Sequence, residues 1–376
     1  MTNVFGYERR LKNPNLHGMG KIMKKMPRSA FFLLLLWLFS TSLSAQNDPR
    51  WYKGNTHAHT VLCGHADTEP AAVVRWYHDR GYHFLILSEH NQFIDPDTVT
   101  MPVRPREDFI LIPGEEVTGA LDIHTTAMNI GGYVDPGPSG PDKTTVIQAH
   151  VDSTRARAGI PILNHPNFVS GAYAAEILPV RRLHLFELYN GHPLVYNWGE
   201  REVYHHVSTE AKWDSLLSAG MRIYGVSSDD AHIFQAWSPE RSNPGRGWVM
   251  VRSAALTPDA ITEAMARGDF YASNGVILRT LEATPDRYRI EVDRAATQRE
   301  LQSPYLLGRR VETGPPGYRI EFYGQAGKLL KTAPESSATY EPRPADGYVR
   351  ARVVLTLSRE EGLMEYYAWT QPVFFE

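Results

Sequence analysis

Three histidines, His57, His59 and His65, fall within nine residues, and the first two are separated by one residue. An extended backbone turns alternate side chains the same way, so His57 and His59 share a face. Neutral imidazole is a preferred ligand of zinc-like ions, and such a pair supplies half of a four-ligand shell. Downstream, short apolar runs repeatedly end in groups of the same chemistry. Phe84-Leu85-Ile86-Leu87 precedes Ser88-Glu89-His90-Asn91, and Ile110-Leu111-Ile112 precedes Pro113-Gly114-Glu115-Glu116. Ile160 to Leu163 precedes Asn164-His165-Pro166, Leu185 to Leu188 precedes Tyr189-Asn190-Gly191-His192, and Met221 to Val226 precedes Ser227-Ser228-Asp229-Asp230-Ala231-His232. The candidate ligands are His57, His59, His65, His90, Glu116, His124, His165, Asp230 and His232. One tetrahedral ion takes four ligands, so a set this large predicts two or three ions, with a carboxylate bridging.

Other residues near this constellation have plainer expected roles. Cys63, the only cysteine, lies between His59 and His65 and is expected to pack beneath the loop or add a soft contact rather than attack a substrate. His78 and His83 belong to a helix end and the turn after it. Asp229 is expected to orient a ligand rather than to coordinate. His192 is a candidate proton donor to a leaving group, with a turn histidine as the alternative. Arg246, in a Gly-flanked loop, is a candidate bidentate contact to an oxyanion, with a capping role as the alternative.

The elements that must position these groups follow from the same pattern. Apolar runs too short for helices read as buried strands, and apolar character on both faces predicts a parallel sheet. Helical segments lie between them: Ala71 to Arg80 after a Pro and before Gly81, Thr144 to Ala158, Trp213 to Ala219, and Thr257 to Arg267 before Gly268. Chemistry delivered at the end of strand after strand predicts an α/β barrel of the (β/α) TIM-like kind rather than an open doubly wound sheet. From about Leu281 the pattern changes to alternating apolar and charged residues, as in Tyr288-Arg289-Ile290-Glu291-Val292 and Tyr318-Arg319-Ile320-Glu321-Phe322. This predicts a small C-terminal antiparallel β-sandwich without histidine. The expected organisation is residues 1–45 as extension and signal peptide, 46–280 as barrel and 281–376 as sandwich.

The chain has 376 residues, 39 Lys plus Arg against 42 Asp plus Glu, and 42% hydrophobic residues. A net charge of -3 offers no basic field for nucleic acid or an anionic membrane surface. The apolar run Ala30 to Phe39 follows Lys21, Lys24, Lys25 and Arg28 and leads into small residues ending at Ala45. It is shorter than the ~20 residues of a membrane span, so it predicts a cleaved secretory signal, a periplasmic or secreted product and no stable membrane span. A start at Met23 would suit this arrangement better than Met1.

The motifs His57-Ala58-His59, Ser88-Glu89-His90-Asn91, Pro113-Gly114-Glu115-Glu116, Asn164-His165-Pro166 and Asp230-Ala231-His232 together resemble the PHP (polymerase and histidinol phosphatase) superfamily of metal-dependent phosphoesterases, over about Tyr52 to Leu278. The phrases around Asn190-Gly191-His192-Pro193, Pro244-Gly245-Arg246-Gly247-Trp248 and Phe270 to Gly275 resemble its exported branch labelled after carbaryl hydrolase. The resemblance implies a distorted seven-stranded barrel with up to three divalent ions. It implies a first ion at His57, His59, Glu116 and Asp230, a second at Glu116, His124 and His165, and a third at His65, His90 and His232. Glu89 stands where Asp is usual, and Gly64-His65 where many members have Asp-Gly.

The chemistry expected is attack by a bridging metal-bound hydroxide on a small organic phosphate ester. A mixed imidazole and carboxylate shell accepts Zn, Mn or Fe. The alternatives are a metal-dependent carbamate, ester or amide hydrolase on the same centre, and a non-catalytic binding protein in which the sandwich recognises a glycan or partner. Nine costly polar groups argue against an inert site.

Overall fold

Strand β1 (Arg50–Ala58) becomes almost wholly buried after its first two residues. It pairs in parallel with β2 (Phe84–Leu87) and antiparallel with β9 (Trp248–Ser253). Gly54 permits this packing, since a Cβ there would lie 2.1 Å from Phe84 Cζ. The computed structural model describes residues 48–99, 108–199 and 202–375. The apolar run Ala30 to Phe39, the basic residues before it and the expected cleavage point at Ala45 lie outside the described residues. Among the described residues, no helix is long and apolar enough to cross a membrane.

The architecture is mixed α/β. Around the site the strands are β3 (Ile110–Leu111), β4 (Gly114–Thr118), β5 (His124–Met128), β6 (Ile160–Leu163), β7 (Leu185–Asn190) and β8 (Tyr224–Ser228). One sheet has the order β4-β5-β6-β7-β8, and β1-β2-β3 is one end of a larger sheet. Helices α1 (Pro70–His78), α2 (Lys143–Ala156), α3 (Ala174–Ile177), α4 (Thr209–Ser218) and α5 (Pro258–Arg267) fall between the strands. Their starts follow capping chemistry, with Asp142 and Thr257 accepting from the N–H groups of Thr145 and Ala260. Helix α5 ends on Gly268 at φ 82°, where a left-handed residue is needed.

The all-parallel sheet expected from the apolar runs is not what forms. β1-β2-β3 and β6-β7-β8 are parallel, but β4 pairs antiparallel with β5, and β5 with β6. Only residues 119–123 separate β4 from β5, too few for a crossover, so the chain turns back as a hairpin. The two sheets meet at isolated bridges. His90 bridges Glu116 and Ile94 bridges Gly114 on one side, and Ala58 bridges Ala231 on the other. Backbone bonds His59 N to Ala231 O and Asp230 N to His57 O, each 2.9 Å, reinforce the second seam. Candidate ligands therefore sit where the two sheets are stitched together.

Beneath these strand ends, Phe84, Ile86, Met128, Ile162, Leu185, Val226 and Val249 form a dry core. Full burial of each aliphatic or aromatic side chain contributes about 1.5–3 kcal/mol, enough to hold a strained polar rim above it.

Downstream strands are β10 (Phe270–Ser273), β11 (Leu278–Ala283), β12 (Tyr288–Val292), β13 (Arg309–Val311), β14 (Gly317–Gly324), β15 (Lys328–Ala333), β16 (Ser337–Tyr340), β17 (Tyr348–Arg359) and β18 (Gly362–Phe374), with α6 (Arg294–Glu300) among them. β11-β12-β16 packs Tyr288, Ile290 and Val292 against Ile320, Phe322, Val349 and Val353 of the other layer. That other layer is continuous with the upstream strands through β17-β18-β10-β9-β1. Residue 281 lies inside β11, and Pro49–Glu376 forms one compact unit.

Candidate metal centre

Glu116 lies at the middle of the site, buried at 1% exposure. Its Oε1 faces His57 Nε2 at 3.3 Å, His124 Nδ1 at 3.2 Å and His165 Nε2 at 3.2 Å. Its Oε2 faces His90 Nδ1 at 3.0 Å and His59 Nε2 at 3.4 Å. Asp230 Oδ1 gathers His57 Nε2 and His59 Nε2, both at 3.4 Å, and His232 Nδ1 at 3.6 Å. The rings of His65 and His232 stack at 4.6 Å, and those of His59 and His90 at 4.8 Å. All nine candidate ligands are thus brought into one nest.

Local backbone aims these groups. His57 and His59 project together from the end of β1. Asp230 sits at φ 51° and His165 at φ 22°, left-handed conformations for non-glycine residues held by the surrounding structure. Glu187 Oε1 lies 2.9 Å from His57 Nδ1, while its Oε2 accepts from the His165 and Asn190 side. An ionised carboxylate only accepts, so Nδ1 of His57 carries a proton, and in the neutral ring Nε2 is the nitrogen that keeps its lone pair, on the side of Glu116 and Asp230. Asn164 Nδ2 donates to Glu116 Oε1 at 2.8 Å, and Asn190 Nδ2 to Asp230 Oδ2 at 3.2 Å. Glu89 accepts from Thr60 N and stands 3.8 Å from His59 Nδ1.

The charges are strongly coupled. Burial alone would lower the histidine pKa of His57, but Asp230, Glu116 and Glu187 outweigh it and raise the value well above the usual one. Burial is likewise outweighed at His59, whose pKa is raised by its contacts with Asp230, Cys63 and Glu89. Against burial, the imidazoles of His57, His124 and His165 hold Glu116 well below the ordinary carboxylate range. Burial pushes His232 down to about 2, with His59 adding to it.

The donor set fits divalent ions. His57 Nε2, His59 Nδ1 and Nε2, Glu116 Oε2 and His232 Nε2 are buried without a hydrogen-bond partner, and an orphaned buried polar atom is costly. Two ligand atoms each ~2.0–2.1 Å from one tetrahedral ion stand ~3.4 Å apart, the separation found between these nitrogens and oxygens. His57, His59 and Asp230 form one close group, His57, Glu116 and His165 another, and His59, His90 and His232 a third. The partition implied by the family resemblance assigns His65 where the last of these has His59.

A cavity of about 240 Å³ opens over the nest, lined by His65, His90, His124, Phe168, His192 and Ile233 among others. His192 Nδ1 accepts from Leu194 N at 3.1 Å, which leaves the proton of the neutral ring on Nε2. Burial lowers its pKa, only partly offset by Asp230. Arg246 is placed differently from the expected oxyanion clamp. Its guanidinium donates to Gly191 O, Ser238 O and Asn243 Oδ1, and it does not line this cavity. It caps the loop, since Nη1 and Nη2 already donate to these oxygens. Asp229 accepts from the N–H groups of Gly245, Arg246 and Gly247 and from Tyr77 Oη, so it holds that loop and touches no ligand.

Sequence reasoning missed Glu187, Asn164 and Asn190 as organising residues. The one signal was a carboxylate inside an otherwise apolar strand, Leu185-Phe186-Glu187-Leu188.

No protein-family model matches the chain, and no curated protein matches it. Among solved structures it is similar to a protein of Bacteroides vulgatus ATCC 8482, described as a two-domain protein containing a predicted PHP-like metal-dependent phosphoesterase. The match has 12% identity and a TM-score of 0.42, and covers 85% of this chain and 95% of that chain. A second, from Bifidobacterium adolescentis ATCC 15703, is described as a candidate metal-dependent phosphoesterase, with 13% identity and a TM-score of 0.34, covering 59% of this chain and 98% of that chain.

Proposed function

We propose that this chain is an exported metal-dependent hydrolase of the PHP type, a phosphoesterase acting on a small organic phosphate. The ring β1, β2, β4, β5, β6, β7 and β8, closed through the bridges at His90 and Ala58, is taken as its distorted seven-stranded barrel, with an antiparallel sandwich after about residue 280. The observation that carries this reading is the Glu116 carboxylate, whose two oxygens face different sets of imidazoles. A carboxylate so placed suits a bridge between two ions. Two to three divalent ions, Zn, Mn or Fe, would supply Lewis acidity toward a phosphoryl oxygen and a lowered pKa for water.

The protein's own groups do the rest. Glu187 fixes the tautomer of His57, Asn164 and Asn190 hold the two carboxylates, and Phe168 and Ile233 add apolar lining to the cavity. His192 presents Nε2–H as a hydrogen-bond donor suited to a leaving oxygen. A cavity of about 240 Å³ suits a small substrate. Export rests on the apolar run before Ala45.

The test is turnover of phosphate monoesters, phosphate diesters and aryl carbamates by metal-reconstituted protein. Phosphate ester hydrolysis that disappears in His57→Ala supports the reading. Turnover of carbamates alone replaces it with the amide and carbamate chemistry, and inactivity of wild type on every substrate favours a binding protein.

A further inference from the structure

Thr60-Val61-Leu62-Cys63-Gly64-His65 leaves β1 as a single turn of 3-10 helix over Val61–Cys63. Thr60 Oγ1 accepts from Leu62 N at 3.3 Å, and Gly64 at φ 83° reverses the chain so that His65 returns beside Cys63. His65 Nδ1 lies 3.2 Å from Cys63 O, and His232 Nδ1 lies 3.0 Å from Asp230 O. A carbonyl oxygen only accepts, so each Nδ1 carries the proton and each Nε2 keeps its lone pair. This is how backbone acceptors preset a metal-binding tautomer. His232 Nε2 is buried without a partner, in a residue only 7% exposed.

Cys63 Sγ completes a set with these two rings. The sulfur, one ring nitrogen of His65 and one of His232 all lie within 4.8 Å of one another. The same sulfur also lies within 4.8 Å of donors of His59 and Glu89, so it is grouped with the polar atoms of the nest. His90, by contrast, points Nδ1 at Glu116 Oε2 and at Thr118 Oγ1.

We propose that Cys63, as a thiolate, joins His65 and His232 in a thiophilic cation site at the mouth of the metal centre. This rests on the metal-centre reading above and adds to it a ligand and a metal preference. One sulfur and two imidazoles suit zinc or another borderline or soft ion and disfavour Mg, Ca and Mn. As the metal–sulfur bond forms, the thiol proton passes to solvent. His65 is exposed and Cys63 half-buried, so this ion is the one that exchanges most readily with solution.

Because the chain has a single cysteine, any thiolate-to-metal spectroscopic band identifies Cys63 alone. The full chain, stripped of metal and titrated with cobalt(II), is expected to show a thiolate-to-cobalt charge-transfer band in the near ultraviolet. A thiol reagent is expected to react with the stripped protein and not with the loaded one. Cys63→Ser and Cys63→Ala are each expected to lose that band and one bound ion while retaining the ions at Glu116. A loaded wild type without the band, or Cys63 variants holding as many ions as wild type, overturns this inference and leaves the metal centre standing. Failure of wild type to take up any cobalt overturns both.

Discussion

At the scale of single residues, the account turns on lone pairs kept free in a buried place. Glu187 sets the His57 tautomer without touching an ion, so Glu187→Gln is expected to cost about 10–100-fold in metal affinity, read by competition with a chelator. His192→Phe is expected to lower turnover by roughly 10²–10⁴-fold with metal content unchanged, because its ring lines the cavity and reaches no ligand carboxylate. Acid should act through the ligands. The carboxylates raise the proton affinity of His57 and His59, so protons compete with metal at higher pH than for free histidine, and metal affinity is expected to fall as pH drops. Excess metal should then restore activity on the acid side.

Glu115 gives a second pH signature, unrelated to activity. Burial pushes its pKa up to about 7, so the folded state holds a proton that the unfolded chain releases near the usual carboxylate pKa. Stability therefore falls as pH rises from about 4.5 and levels off above about 7. Glu115→Gln is expected to raise the melting temperature at pH 8 more than at pH 5. The residues that converge at Glu116 and Asp230 were legible in the sequence as candidate ligands because imidazole and carboxylate at strand ends have few other uses. Glu187, Asn164 and Asn190 were not, since their role depends on which strands become neighbours, a property no local spacing encodes.

At the scale of elements, the site depends on loops held by buried cations as much as on strands. Lys212, on α4, sends its ammonium under the loop after His165 and donates to Pro166 O at 2.9 Å, Asn167 Oδ1 at 2.6 Å and Ala172 O. Lys212→Met leaves three acceptors without their donor and is expected to cost at least about 3 kcal/mol by thermal or denaturant unfolding. The metal content should fall with it, since the same loop carries His165. Strand positions were readable from apolar runs, and helix ends from capping residues and Gly268. The direction of β5 was not. His124-Thr125-Thr126-Ala127-Met128 lacks a strong apolar signature, so the hairpin with β4 becomes visible only through its pairing with Gly114–Thr118. His124 owes its place beside Glu116 to that register.

At the scale of the compact unit Pro49–Glu376, the C-terminal strands are fastened to the strands of the candidate metal centre by charge and by sheet. Arg350, 1% exposed, places Nη2 2.6 Å from Asp214 Oδ2 and Nη1 3.2 Å from Glu210 Oε1, both on α4, while Arg352 joins Glu210 to Glu321. Removing one partner strands the others in a dry place, so Arg350→Met is expected to cost about 3–5 kcal/mol, measured by denaturant unfolding. Pairing of β18 with β10 adds backbone bonds across the same junction. The alternation of charged and apolar residues after Leu281 revealed antiparallel strands but not their partners, because an alternating strand says which face is wet and not which edge it joins.

The central claim of the proposed function is that Glu116 would serve two ions at once, and counting ions tests it most directly. Elemental analysis of metal-reconstituted wild type and of Glu116→Gln is expected to give at least two ions per chain in the first and a loss of more than one from the single substitution. Wild type without bound metal, or a variant that keeps its full complement, would contradict the account.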